Sequence, residues 1–168
     1  MIDLTYKDFA FAEIVNYIPS WSWPELKFGV ENRIISKNNI IDYAKDCLEE
    51  NTENFEVVLE IVILDDKEDI LRLINKLIVL ENKNIETAII IDKWRFAILL
   101  YLYMNRDKYS NVYEIIAEIA ADFNHPEDMD GFIYYKPMGG VGRGSIHWEN
   151  YLREQCIRYN VDFPSKHN

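Results

Sequence analysis

Between Ala88 and Met104 the sequence is almost wholly apolar, yet Asp92, Lys93 and Arg95 sit inside that run. Three charges are too costly in hydrocarbon for a membrane span, which needs about 20 predominantly apolar residues. A helix that is apolar on most sides is stable in water only when neighbours surround it. The stretch from about Glu86 to Met104 is therefore the expected central helix, and the rest of the 168 residues must supply its surroundings. With 49% hydrophobic and 14% aromatic residues there is enough apolar surface for one compact core. No composition shift, fixed-period repeat or low-complexity run divides the chain, so a single globular domain over residues 1–168 is expected.

The flanking segments carry helical punctuation. Thr5 is placed to cap a first helix with Phe9, Ala12 or Glu13, Val15 and Ile18 on its apolar side, and Pro19 ends it. Ser22, followed by Trp23, Pro24 and Glu25, opens a second helix, with Leu26, Val30 and Ile34 lining one side. Ser36 begins a third, in which Ile40, Tyr43 or Ala44, and Cys47 or Leu48 recur at helical spacing. Asp42, Asp46, Glu49 and Glu53 share a different side of it and form an acidic stripe. Phe55 to Leu64 is ambiguous: its β-branched residues favour strand, whereas Glu56 and Glu60 stand one helical turn apart, and helix is the preferred reading. Ile70 to Glu81 continues the helical period.

Beyond the central helix, Ser110 is the expected cap of a helix with Val112, Ile115 or Ile116, Ile119 and Phe123 facing inward, ending near Asn124 and Pro126. Phe132 to Tyr135 reads as a short extended aromatic segment and Gly139 to Gly144 as a flexible Gly-rich loop. Ser145 is expected to start a last helix through Trp148, Leu152 and Cys156. The fold class is all-α, with seven or eight helices.

Little in the sequence announces chemistry. Cys47 and Cys156 are too few for a disulfide scaffold and fit a reducing compartment. Met1 to Asp8 lacks the basic and apolar stretches of a secretory signal, so the expected location is cytoplasmic. The glycines from Gly139 to Gly144 follow Pro137 rather than a strand and lack the Lys-Ser/Thr ending of a phosphate-binding loop. His125, Glu127, Asp128 and Asp130 bring an imidazole and carboxylates into one turn, but their spacing matches no metal loop. No nucleophile elbow is present, and both cysteines occupy apolar helical positions. Neither a catalytic, cofactor-binding nor metal-binding residue is assigned, and an enzyme is not the expected reading.

Charge is the more informative property. The net charge of −11 makes nucleic acid and anionic membrane improbable partners. It is also segregated: residues 42–69 carry a net −9, and residues 114–130 carry six acidic and no basic side chains. Solubility alone explains an acidic surface. The sharper explanation is docking to a cationic protein, with Asp42, Asp46, Glu49 and Glu53 steering association and Glu118 with Asp122 forming a second patch.

The chain resembles a bacterial family, the domain of unknown function 2247. The resemblance rests on Trp23-Pro-Glu-Leu-Lys-Phe-Gly29, Ile35-Ser36 through Asp42-Tyr43-Ala44, Lys93-Trp94 with Leu99 to Tyr103, and Ala121-Asp-Phe-Asn-His-Pro-Glu-Asp128 leading to Gly131-Phe-Ile-Tyr-Tyr-Lys-Pro137. It spans nearly the whole chain; Ala120 and Lys136 stand where Tyr and Met are typical. The family brings no catalytic residues. Small acidic proteins of this kind resemble immunity proteins of toxin systems, including contact-dependent growth inhibition, and the resemblance implies a cognate basic toxin domain as partner. Two other readings stay open: a small enzyme or metal-binding protein using the turn from His125 to Asp130, and a structural or adaptor subunit.

Overall fold

The computed structural model describes residues 9–49, 54–63, 70–133 and 143–164. The described residues are all-α, with nine α-helices and two short 3-10 turns. They divide into two compact units: one holds 9–12 and 20–90, the other 13–19 and 91–164.

Within the unit holding 20–90, α2 (Trp23–Glu31) starts as expected at Ser22, with Pro24 in the first turn. The Glu25 carboxylate accepts the Ser22 backbone N–H at 2.7 Å, which satisfies an otherwise orphaned donor. α3 (Lys37–Glu49) is opened by Ser36 through a reciprocal arrangement: the Ser36 N–H donates to Asn39 Oδ1 at 2.9 Å, and the Asn39 N–H donates to Ser36 Oγ at 3.3 Å. The ambiguous segment is helix α4 (Phe55–Ile63), with Val57, Val58 and Ile61 buried at helical spacing. Packing overrides β-propensity here, because α4 lies against both α3 and α5 (Ile70–Glu81), and α5 in turn packs on α2. Tyr43 ties this unit together: its hydroxyl donates to the Trp21 carbonyl at 2.7 Å, and the Trp21 N–H donates back at 3.2 Å.

Thr5 lies outside the described residues. α1 (Phe11–Tyr17) buries Phe11, Ile14 and then Ile18 beyond its end, whereas Ala12 is exposed, so its inward face is rotated from the expected one. Aromatic bulk settles the register, since Phe11 packs edge-on against Trp21 at 5.8 Å.

In the unit holding 91–164, α6 (Thr87–Met104) is the expected core helix, and every residue from 93 to 103 is buried. Phe96 stacks on Tyr159 at 5.3 Å and Tyr103 meets Trp148 edge-on at 5.1 Å, so α9 (Arg143–Arg158) covers one flank of α6. α7 (Val112–Asp122) is preceded by Asn111, not Ser110, as its cap residue, and it buries Ile116, Ile119 and Ala120. The expected extended aromatic segment is corrected in its first half: Phe132 and Ile133 finish the one-turn helix α8 (Asp130–Ile133), because Phe132 is drawn into the core against Trp148 and Tyr151. Tyr134, Tyr135 and Gly139 to Gly142 lie outside the described residues. α9 begins at Arg143, two residues before Ser145.

Three helices end in the same way without glycine. After α2, α7 and α9 the residues Arg33, Asn124 and Asn160 adopt positive φ (55°, 63° and 52°). In each, the following N–H returns to the helix: Ile34 to the Gly29 carbonyl, His125 to Ala120, and Val161 to Cys156. Asparagine tolerates this conformation better than alanine does. Asn160→Ala is therefore expected to cost about 1 kcal/mol, with Asn160→Gly close to neutral, as read from paired thermal melts.

Candidate functional site

The acidic stripe is built on α3 by an elementary period. Ile40 and Ala44 are fully buried, which turns Asp42 and Asp46 outward, and both are exposed. Asp42 pairs with Lys45 at 2.9 Å on the open surface, a contact that holds little energy in water. Glu49 lies in the last turn of α3, while its side chain and Glu53 fall outside the described residues. The structure thus places two of the four stripe carboxylates on one solvent-facing side of a helix.

The second pair is less uniform. Glu118 is exposed on α7, but Asp122, one turn later, is half-buried and turns Oδ2 inward without a hydrogen-bond partner among the described residues. With one carboxylate oxygen buried, Asp122 is a poorer surface contact than expected.

The acidic turn has a structural occupation that the sequence did not disclose. Asp128 accepts from Arg95 Nη2 at 2.7 Å, and Arg95 also reaches Asp92 at 3.2 Å. Arg158 Nη1 approaches Asp92 at 3.4 Å, so the network links α6, the turn and α9. Burial raises the Asp128 carboxyl above its ordinary range, although Arg95 pulls the other way. The same Arg95 lies near Tyr151, whose phenol is pushed up to about 12 by burial. Arg95 was the missed residue. A guanidinium in the middle of a helix expected to be surrounded must have a carboxylate partner, and that requirement was available from the sequence, whereas the partner's identity was not. Among the described residues no group of three His, Cys, Asp or Glu side chains is arranged to hold a metal ion.

The cysteines differ from one another. Cys156 is buried and its thiol is raised to about 11 by burial, whereas Cys47, despite its apolar helical position, is only half-buried. No helix among the described residues is long and apolar enough to cross a membrane.

The profile of a family described as an uncharacterized protein conserved in bacteria, domain of unknown function 2247, matches residues 11–156. No curated protein and no solved structure matches the chain.

Proposed function

Because the chain belongs to the bacterial domain of unknown function 2247 family, we propose that it is a cytoplasmic, non-enzymatic immunity protein that binds a cognate basic toxin domain and neutralises it by occupying its working surface. The observation that supports this reading is the outward placement of Asp42 and Asp46 on α3, opposite the fully buried Ile40 and Ala44. Such carboxylates attract a cationic surface over a distance set by ionic strength and contribute more to encounter rate and partner choice than to raw affinity. A toxin that acts on nucleic acid presents basic groups for phosphates, and an acidic helix face competes for the same groups. Glu118 is a further exposed carboxylate, on α7, and Glu49 and Glu53 continue the α3 stripe in sequence.

The test is stopped-flow association with a candidate basic toxin domain, sought among the reading frames next to this gene. The on-rate is expected to fall several-fold between about 50 and 300 mM salt as the Debye length contracts to roughly 6 Å. Asp42→Lys with Asp46→Lys is expected to weaken capture at least about tenfold while the unfolding free energy stays within the scatter of ordinary surface changes, about 0.5 kcal/mol. A salt-independent on-rate, or unaltered capture by the double variant, rejects the acidic stripe as the docking face. Stoichiometric metal after purification would favour the enzyme reading of the turn from His125 to Asp130, and a stable homo-oligomer that ignores the toxin would favour an adaptor.

A further inference from the structure

A cleft of about 510 Å³ opens beside the C-terminal end of α6, lined by Tyr103, Arg106, Ser145, Glu149, Arg153 and Phe163. Two arginines in one cleft are unexpected in a chain of net charge −11. They are not equivalent. Arg153 gives both Nε and Nη2 to Glu149 Oε1, at 3.0 and 2.7 Å, with its guanidinium lying 4.1 Å over the Phe163 ring. The Tyr103 hydroxyl donates to Glu149 Oε2 at 2.8 Å. Both oxygens of Glu149 are thus engaged, and these bonds hold its carboxyl below the ordinary range, Tyr103 contributing most.

Arg106 differs. Its guanidinium lies 4.2 Å from the centre of the Tyr103 ring, and Nη1 donates to the Tyr103 carbonyl. Among the described residues no carboxylate forms an ion pair with it; Glu149 attracts it only at longer range, and one carboxylate against two guanidiniums leaves the cleft lining one positive charge in excess. Of the five donors on a guanidinium, most remain for a ligand. An arginine stacked on an aromatic face has already lost much of its rotamer freedom and is weakly hydrated, so binding costs less ordering and less desolvation than at a free surface arginine. Its planar fork matches a carboxylate. The volume falls in the range of small-molecule sites, and Tyr103 and Phe163 supply apolar surface for a ligand body.

We infer that this cleft binds a small organic monoanion, a carboxylate attached to an aromatic or aliphatic body, with Arg106 holding the carboxylate and Glu149 occupying Arg153, so that one excess positive charge matches one negative charge better than two. This site is independent of the toxin-binding reading: loss of either leaves the other standing.

Calorimetric titration of the full chain with phenylacetate, phenylacetamide and phenyl phosphate tests it. Phenylacetate is expected to saturate with a dissociation constant of order 0.1–1 mM at low salt, and the neutral amide to bind at least about tenfold more weakly. Arg106→Gln is expected to remove at least about tenfold in phenylacetate affinity, and Arg106→Lys to restore part of it. Glu149→Gln releases Arg153 and should strengthen phenyl phosphate binding several-fold. Equal binding of phenylacetamide, unaltered binding by Arg106→Gln, phenyl phosphate outcompeting phenylacetate on the unaltered chain, or no saturation by phenylacetate up to about 20 mM overturns the inference. Should Arg106→Gln fold poorly, the comparison of acid with amide on the unaltered chain decides the matter.

Discussion

Trp148→Ala is expected to destabilise the protein by about 3–5 kcal/mol and to lower its melting temperature by roughly 6–20 °C. Trp148 is 1% exposed and sits among Tyr103 at 5.1 Å, Tyr113 at 6.4 Å and Phe132 at 6.5 Å, so its removal leaves a hole bordered by rigid rings that cannot collapse. The loss adds forfeited apolar burial to an unfilled cavity, which is why it exceeds an ordinary surface change by several-fold. Trp148→Phe separates the two contributions. Indole Nε1 is buried without a hydrogen-bond partner among the described residues, so phenylalanine removes a costly donor while keeping most of the volume. Its expected cost is below about 1.5 kcal/mol. Chemical denaturation of both variants checks the pair, and equal losses would show that polarity, not volume, governs this site.

Alkaline pH is expected to unfold the protein steeply. The Tyr43 phenol is raised far above its ordinary value of 10.0, mainly by burial, and that of Tyr151 is raised from 10.0 to about 12 for the same reason. For Tyr43, the neighbouring Cys47 and Glu25 add to the effect of burial. For Tyr151, burial outweighs the attraction of Arg95 for a phenolate. A group whose pKa is raised on folding keeps its proton in the native state after the unfolded chain has lost it. The stabilisation it provides is whole below about pH 10 and is lost as pH climbs toward the folded value. Each of the two tyrosines then removes at most about 1.4 kcal/mol per pH unit between about pH 10 and 12, and less for Tyr43, whose partial exposure lets water screen the phenolate. Urea midpoints measured across that range, with tyrosinate absorbance recorded in parallel, should fall together. Tyr151→Phe should make the decline shallower, and tyrosinate signal from all tyrosines before any loss of helix would contradict the account.

Local pattern was legible because local physics sets it. Ser22 and Ser36 open helices where their short polar side chains and the acceptors three residues on announce them, and the burial of Ile40 and Ala44 follows from a 3.6-residue period. The central helix was readable from the density of apolar residues between Ala88 and Met104. The acidic face of α3 follows from the same period, since whatever lies opposite a buried stripe meets water. Errors arose where a neighbour distant in sequence chose between near-equal local options. Phe11 against Trp21 rotated α1, and the packing of Phe132 against Trp148 and Tyr151 wound the start of the expected extended run into α8. Ser110 and Asn111 are both acceptable caps, and nothing local favours the first strongly.

The sequence alone settled the all-α class, the positions of most helices, the segregation of negative charge and the solvent-facing side of α3, because each depends on residues a few places apart on one helix. Only the tertiary structure decided that Arg95 meets Asp128 across 33 residues, and that Arg106 and Arg153 share a cleft with Tyr103 and Glu149. Those meetings depend on how α6, α9 and the turn after α7 pack, and side-chain periodicity fixes the face of a helix without fixing which distant face it will touch.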